Sequence, residues 1–127
     1  DVPFGDWGKI ILIDYSFNIR RIKKYLKTAD THNLTFLYSS ICTLEILAEN
    51  TDKGSAVMKL AEMMGIDKTR TAAIGDYYND IEMLRAVGFP ACCGQAPESL
   101  KKISSLCTCH CNRGAVADLL EHIEKNS

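Results

Sequence analysis

The sequence predicts an α/β protein in two parts: a β-α-β-β segment over residues 1–50, then parallel β-α units over residues 51–127. Three observations carry this expectation. Two strand-like runs before residue 50 stand close enough to form a hairpin. From Lys53 onward, short apolar runs alternate with segments of helical spacing. The pattern changes at Glu49-Asn50, which places the organisational boundary there.

Lys9–Ile13 (KIILI) is an apolar run of strand length. It is followed by Ser16–Leu26, where Ile19, Ile22 and Leu26 recur at helical spacing beside Arg20, Arg21, Lys23 and Lys24. Residues 34–38 (LTFLY) and Thr43–Ala48 (TLEILA) read as two strands joined by a short connection at 39–42. Thr51 or Asp52 can cap a helix running to Met64, with Val57, Leu60, Ala61 and Met64 on one face and Gly65 ending it. Residues 71–75 (TAAIG) form a buried-type strand. A helix is expected over 78–86, a strand at Phe89–Cys92, a helix over 97–103, a short strand near Leu106 and a helix over 115–124.

Composition narrows the functional classes. The 127 residues are 46% hydrophobic and 24% charged, enough for one modest core or one small domain plus a fragment. The net charge is -1 and the basic residues are scattered, clustering only in short pairs such as Lys23-Lys24 and Lys101-Lys102, which argues against nucleic acid as a partner. No apolar run approaches the roughly 20 residues of a membrane-spanning helix, and no signal pattern opens the chain. The expectation is a cytoplasmic protein with no membrane partner. Asp1 stands where a methionine would start an unprocessed chain, which suggests processing or an excised domain.

Six cysteines are many for this length. Cys42 stands alone, and neither Cys92-Cys93 nor Cys107, Cys109 and Cys111 show the two-residue gaps of zinc ligands or redox pairs. The alternating trio can place three sulfurs on one face as a soft metal site, whereas reduced and mostly buried thiols need no special function.

Chemistry concentrates at Gly75-Asp76-Tyr77-Tyr78-Asn79-Asp80, where an apolar strand gives way to a helix. In an open parallel sheet that is where ligands bind. Asp76 and Asp80, four positions apart, can turn their carboxylates into one space, an oxygen-only set that suits Mg²⁺. The competing reading is structural: Asp76 caps the helix and Asp80 complements its dipole. Lys53, at the start of the preceding helix, sits where a cation is disfavoured unless an anion lies nearby; a phosphate would supply it, or the side chain simply reaches solvent.

In this order, Lys53-Gly54, the run from Ile74 to Leu84 (IGDYYNDIEML), Gly88 and Gly114-Ala115-Val116 resemble the haloacid dehalogenase (HAD) superfamily. Leu44-Glu45-Ile46, the Asn79-Asp80 run and Ala96-Pro97-Glu98 resemble its sugar-phosphatase-like branch with a large α/β cap, the Cof type of subfamily IIB. Gln95 departs from the asparagine that this branch often carries before the alanine. The resemblance implies that residues 1–50 are the C-terminal part of an α+β cap and 51–127 the C-terminal half of a Rossmann-like core. It implies a phosphatase acting on phosphorylated small molecules such as sugar or nucleotide phosphates. Asp76 would be a Mg²⁺ ligand, with Asp80 assisting through water or by holding Lys53. Lys53 and Gly54 would bind phosphate, and Asn79 would orient the lysine or the phosphoryl group.

The resemblance also implies an Asp-x-Asp-Gly nucleophile motif, which this sequence does not contain, so the chain alone is expected to be inactive. One alternative takes Asp14, at the end of the apolar run 9–13, as nucleophile with Ser39 or Ser40 binding phosphate in a capless enzyme. Another is a non-catalytic module that binds metal, phosphate or protein. Half of a parallel sheet leaves the 71–75 strand with an unpaired edge, so self-association, partner pairing or marginal stability is expected.

Overall fold

The computed structural model describes residues 8–29, 33–49 and 51–126. The chain divides into two compact units, Asp1–Thr51 and Asp52–Ser127. Asp1, and Asn50 at the expected boundary, lie outside the described residues.

In the first unit, β1 (Lys9–Ile13), β2 (Leu34–Ser40) and β3 (Thr43–Ala48) form an antiparallel sheet in the order β1-β3-β2. Ile10 and Leu12 on β1 pair with Ile46 and Leu44, which pair in turn with Phe36 and Tyr38, so these six side chains share a face. Helix α1 (Ser16–Leu26) covers that face: Ile19 and Leu44 are buried, and Lys23 Nζ lies 4.3 Å from the centre of the Tyr38 ring. Ile11 and Ile13 face the other way and are exposed. The connection between β2 and β3 is tighter than expected. The Ser40 hydroxyl donates to Thr43 Oγ1 at 2.9 Å and accepts the Cys42 N–H at 3.1 Å, so β2 extends through Ser39 and Ser40.

In the second unit, β4 (Ala72–Gly75), β5 (Phe89–Cys92) and β6 (Leu106–Cys107) pair in parallel in the order β4-β5-β6. Helix α2 (Lys53–Met63) precedes them, α3 (Ile81–Ala86) and α4 (Glu98–Lys101) fill the crossovers, and α5 (Ala115–Lys125) ends the described chain. Leu84, Cys92, Ala96 and Leu100 form a buried cluster joining α3, β5 and α4. Of the two expected caps for α2, Asp52 is the one used: its carboxylate accepts Ser55 N–H at 2.9 Å. Gly65, at φ +65°, closes that helix with its N–H on Glu62 O.

Two expected helices are shorter than their patterns. The 78–86 segment starts as a 3-10 turn at Tyr78–Asp80 and becomes α-helical only at Ile81, because the Asp80 carboxylate folds back onto the Asp76 and Tyr77 N–H groups. The 97–103 segment is α-helical only over Glu98–Lys101, since Ile103 N–H closes a three-residue turn on Leu100 O.

Three aspartates tie this unit together at its turns and lie below the ordinary value of 3.8. Asp52 is lowered chiefly by the Ser55 N–H, Asp67 by the Thr69 hydroxyl and N–H, and Asp118 by the Cys109 N–H. A depressed carboxylate contributes stability that is present above its unfolded value and lost as pH falls through its folded one. The melting temperature of an Asp52→Asn, Asp67→Asn, Asp118→Asn variant is therefore expected to lie below that of the parent at neutral pH. The two curves should converge on acidification below pH 3.8.

Candidate functional site

The site assembles where β4 ends and α2 begins, within the second unit. Lys53 is the first residue of α2, a position where its charge opposes the helix dipole. The compensating anion is Asp80, whose Oδ1 receives Lys53 Nζ at 2.5 Å. Asp80 is 4% exposed, and its other oxygen accepts Asp76 N–H at 3.0 Å and Tyr77 N–H at 3.3 Å. Both carboxylate oxygens are thus engaged within the protein.

Two glycines allow this. A Cβ on Gly75 would lie 2.5 Å from Asp80 Cβ, so only glycine lets the turn fold over the strand end. A Cβ on Gly54 would lie 2.5 Å from the Glu82 carbonyl oxygen, so glycine lets α2 press against the start of α3 and hold Lys53 over Asp80. Gly54 is buried in that contact.

Asp76, at the tip of β4, is exposed. Its Oδ2 accepts Gln95 Nε2 at 3.4 Å, and Gln95 Oε1 accepts Cys111 N–H at 3.0 Å. Asn79 lies half-buried in the 3-10 turn between the two aspartates. Of the residues anticipated from sequence, Lys53 and the Asp76 backbone are joined through the Asp80 carboxylate, Asn79 stands in the same turn, and Gly54 packs against Glu82 one position after Lys53. Gln95 was not anticipated as a site residue. Its only signal was the longer side chain in place of asparagine.

Mg²⁺ takes one or two carboxylates and keeps several waters. The donor set fits that habit, since among the described hydrogen bonds Asp76 engages one oxygen only, through the long Gln95 contact. A site closed by three or more side chains is not present: among the described residues no three His, Cys, Asp or Glu groups converge on a metal position. That includes the cysteine trio. Cys109 Sγ turns to Arg113 O at 3.2 Å, while Cys111 Sγ lies 3.6 Å from His110 Nδ1.

The thiols are less uniformly buried than expected: all six are free, Cys92 and Cys93 are buried, and Cys107 and Cys111 are exposed. Burial, followed by the negative charge of Asp76, pushes the Cys93 thiol up to about 11. The thiolate is the reactive form. Iodoacetamide at neutral pH is therefore expected to label Cys107 and Cys111 of the native chain and to spare Cys93, as read by peptide mass spectrometry. Equal labelling of Cys93 would show that the end of β5 opens.

A cavity of about 490 Å³ lies elsewhere, by Ala72 and Phe89 at the opposite ends of β4 and β5, and includes none of these site residues. The Asp14 alternative meets a topological obstacle. Its strand, β1, belongs to the antiparallel sheet, and the Asp14 carboxylate accepts Tyr15 N–H and the Asn18 amide at the start of α1. Ser40 is occupied in the β2–β3 turn.

A sequence model of haloacid dehalogenase-like hydrolases matches residues 3–120. A putative phosphatase of Haemophilus influenzae is 33% identical over 113 residues, which are 89% of this chain and 43% of the relative. An HMP-PP phosphatase of Citrobacter koseri is 33% identical over 95% of this chain and 45% of its own length. The chain thus spans about half the length of the curated relatives it matches. A haloacid dehalogenase-like hydrolase structure from B. subtilis superposes with a TM-score of 0.83 at 28% identity, covering 93% of this chain and 41% of that one. The subclass IIB sugar phosphatase BT4131 superposes at 0.78 with 18% identity, over 92% of this chain and 43% of the other, a likeness of fold. With the family match running through both units and across the Lys53, Asp76 and Asp80 positions, the chain belongs to the haloacid dehalogenase-like hydrolases.

Proposed function

We propose that this chain supplies the lysine and metal side of a Mg²⁺-dependent phosphatase of the sugar-phosphatase-like branch, acting on small phosphomonoesters such as sugar or nucleotide phosphates. The observation that carries the reading is the Lys53–Asp80 pair, with the exposed carboxylate of Asp76 beside it at the tip of β4. In this reading the first unit is the C-terminal part of an α+β cap and the second the C-terminal half of the core.

The roles follow from what each side chain has free. Asp76 offers an oxygen to Mg²⁺, which when bound neutralises charge on phosphoryl oxygens. Asp80 has no free oxygen, so it acts by fixing Lys53 rather than as a direct ligand. Lys53 Nζ has three N–H donors and engages one in its hydrogen bond to Asp80, leaving donors for phosphate on a side chain that is half exposed. Asn79 offers its amide as donor or acceptor from the same turn. The aspartate nucleophile of the reaction is not among these residues, so the chain alone is expected to bind without turnover.

Calorimetric titration with inorganic phosphate tests this. Phosphate binding should strengthen when Mg²⁺ is added and should weaken in Lys53→Ala. Asp76→Ala should abolish the Mg²⁺ effect. Phosphate affinity indifferent to Mg²⁺ and to both substitutions would overturn the reading. Mg²⁺-dependent hydrolysis of p-nitrophenyl phosphate by the chain, lost in Asp76→Ala, would instead place a nucleophile within these residues.

A partner is also expected. β4 lies at the edge of its sheet and pairs only with β5 among the described strands, and a free parallel edge invites strand addition. Light scattering should show concentration-dependent self-association, and a monodisperse monomer at all concentrations would count against it.

A further inference from the structure

We infer that Gln95 is a positioning residue for the cation site, a bridge that fixes the Asp76 carboxylate to the 109–113 loop. This rests on the proposed role of Asp76 as a metal ligand and adds the group that aims it.

The bridge has one consistent orientation. Cys111 N–H can only donate and the Asp76 carboxylate can only accept, so the Gln95 amide must present Oε1 to the former and Nε2 to the latter, at 3.0 and 3.4 Å. The backbone is shaped to bring these groups together. Gly94 N–H donates to Cys109 O at 3.0 Å, and a Cβ on Gly94 would lie 3.1 Å from Thr108 O, so the turn after β5 runs close against the loop after β6. Thr108 N–H on Cys92 O, at 2.9 Å, extends the β5–β6 pairing up to that point. The loop is thus anchored to the sheet, and Gln95 passes that rigidity on to Asp76. The contact falls on Oδ2 alone, which leaves Oδ1 to face a cation. Asparagine is shorter by one methylene and reaches one partner, not both.

Hydrogen-bonded groups behind a metal ligand typically change affinity 10- to 100-fold when removed. Mn²⁺, detected by electron paramagnetic resonance, is the probe, with the parent chain, Asp76→Asn, Gln95→Met and the Gln95→Met, Asp76→Asn double variant compared. Expected results are Mn²⁺ binding by the parent chain, its loss in Asp76→Asn, and about tenfold weaker binding in Gln95→Met at an unchanged melting temperature. In the Asp76→Asn background no binding is left to weaken, so the double variant serves as the blank, whereas a purely structural role would lower the melting temperature of Gln95→Met together with its Mn²⁺ affinity. Parent-like Mn²⁺ affinity in Gln95→Met, with Asp76→Asn impaired, overturns the inference and leaves the metal assignment standing. Failure of the parent chain to bind, or parent-like binding by Asp76→Asn, overturns both. Should Gln95→Met unfold, Gln95→Asn takes its place: weakened binding supports the bridge, and parent-like binding overturns it.

Discussion

Asp80→Ala is expected to lower the free energy of unfolding by about 2 to 3 kcal/mol, and Lys53→Met by less than about 1 kcal/mol, in chemical denaturation of the two variants. The asymmetry follows from exposure. The Lys53 side chain is 51% exposed, so water replaces the ion pair when it is lost. The Asp80 side chain is 6% exposed and is the acceptor for the Asp76 and Tyr77 N–H groups. Removing it leaves two part-buried donors without a partner and a gap beneath the turn. Equal losses in the two variants would mean that the ion pair, not the backbone bonds, holds the turn. The proposed function adds an opposite ordering for phosphate: Lys53→Met, nearly harmless to the fold, should weaken phosphate binding strongly.

The second large effect is at Gly54. In an exposed helix, alanine is more favourable than glycine by about 1 kcal/mol. Here the sign reverses, because the added methyl would stand 2.5 Å from the Glu82 carbonyl oxygen and 2.8 Å from its carbon, backbone atoms that cannot turn aside. Overpacking of this kind costs about 1 to 3 kcal/mol. Gly54→Ala should therefore melt below the parent chain. An increase in melting temperature would show that α2 slides on α3 without penalty.

These two residues illustrate how far the sequence could be read. The strand and helix segments were legible because their periods are local, and Asp52, Gly65 and the run at Asp76–Asp80 carry their signals within a few positions. The Gly54–Glu82 contact was not legible: a glycine early in a helix looks the same whether it packs closely or faces solvent. Nor was the division of labour between the aspartates, which depends on Asp80 turning both oxygens inward while Asp76 keeps one unengaged. The Gln95 bridge joins side chains and loops brought together by the β5–β6 pairing, and no spacing in the chain announces it. The fate of the thiols was not legible for a related reason, since alternation along Cys107, Cys109 and Cys111 implies a common face only while the backbone remains extended. The strand ends at Cys107.

The order β4-β5-β6 has a kinetic corollary. Each strand pairs with the one that follows it in sequence, across a crossover holding a single short helix. Parallel sheets are generally slow to form because their pairings close long loops, but here the closures are short, and their entropy grows only slowly with length. The second unit can therefore nucleate from neighbouring segments, with Leu84, Cys92 and Leu100 meeting early. Native-state hydrogen exchange would then find β5, the strand flanked on both sides, among the last amides to open.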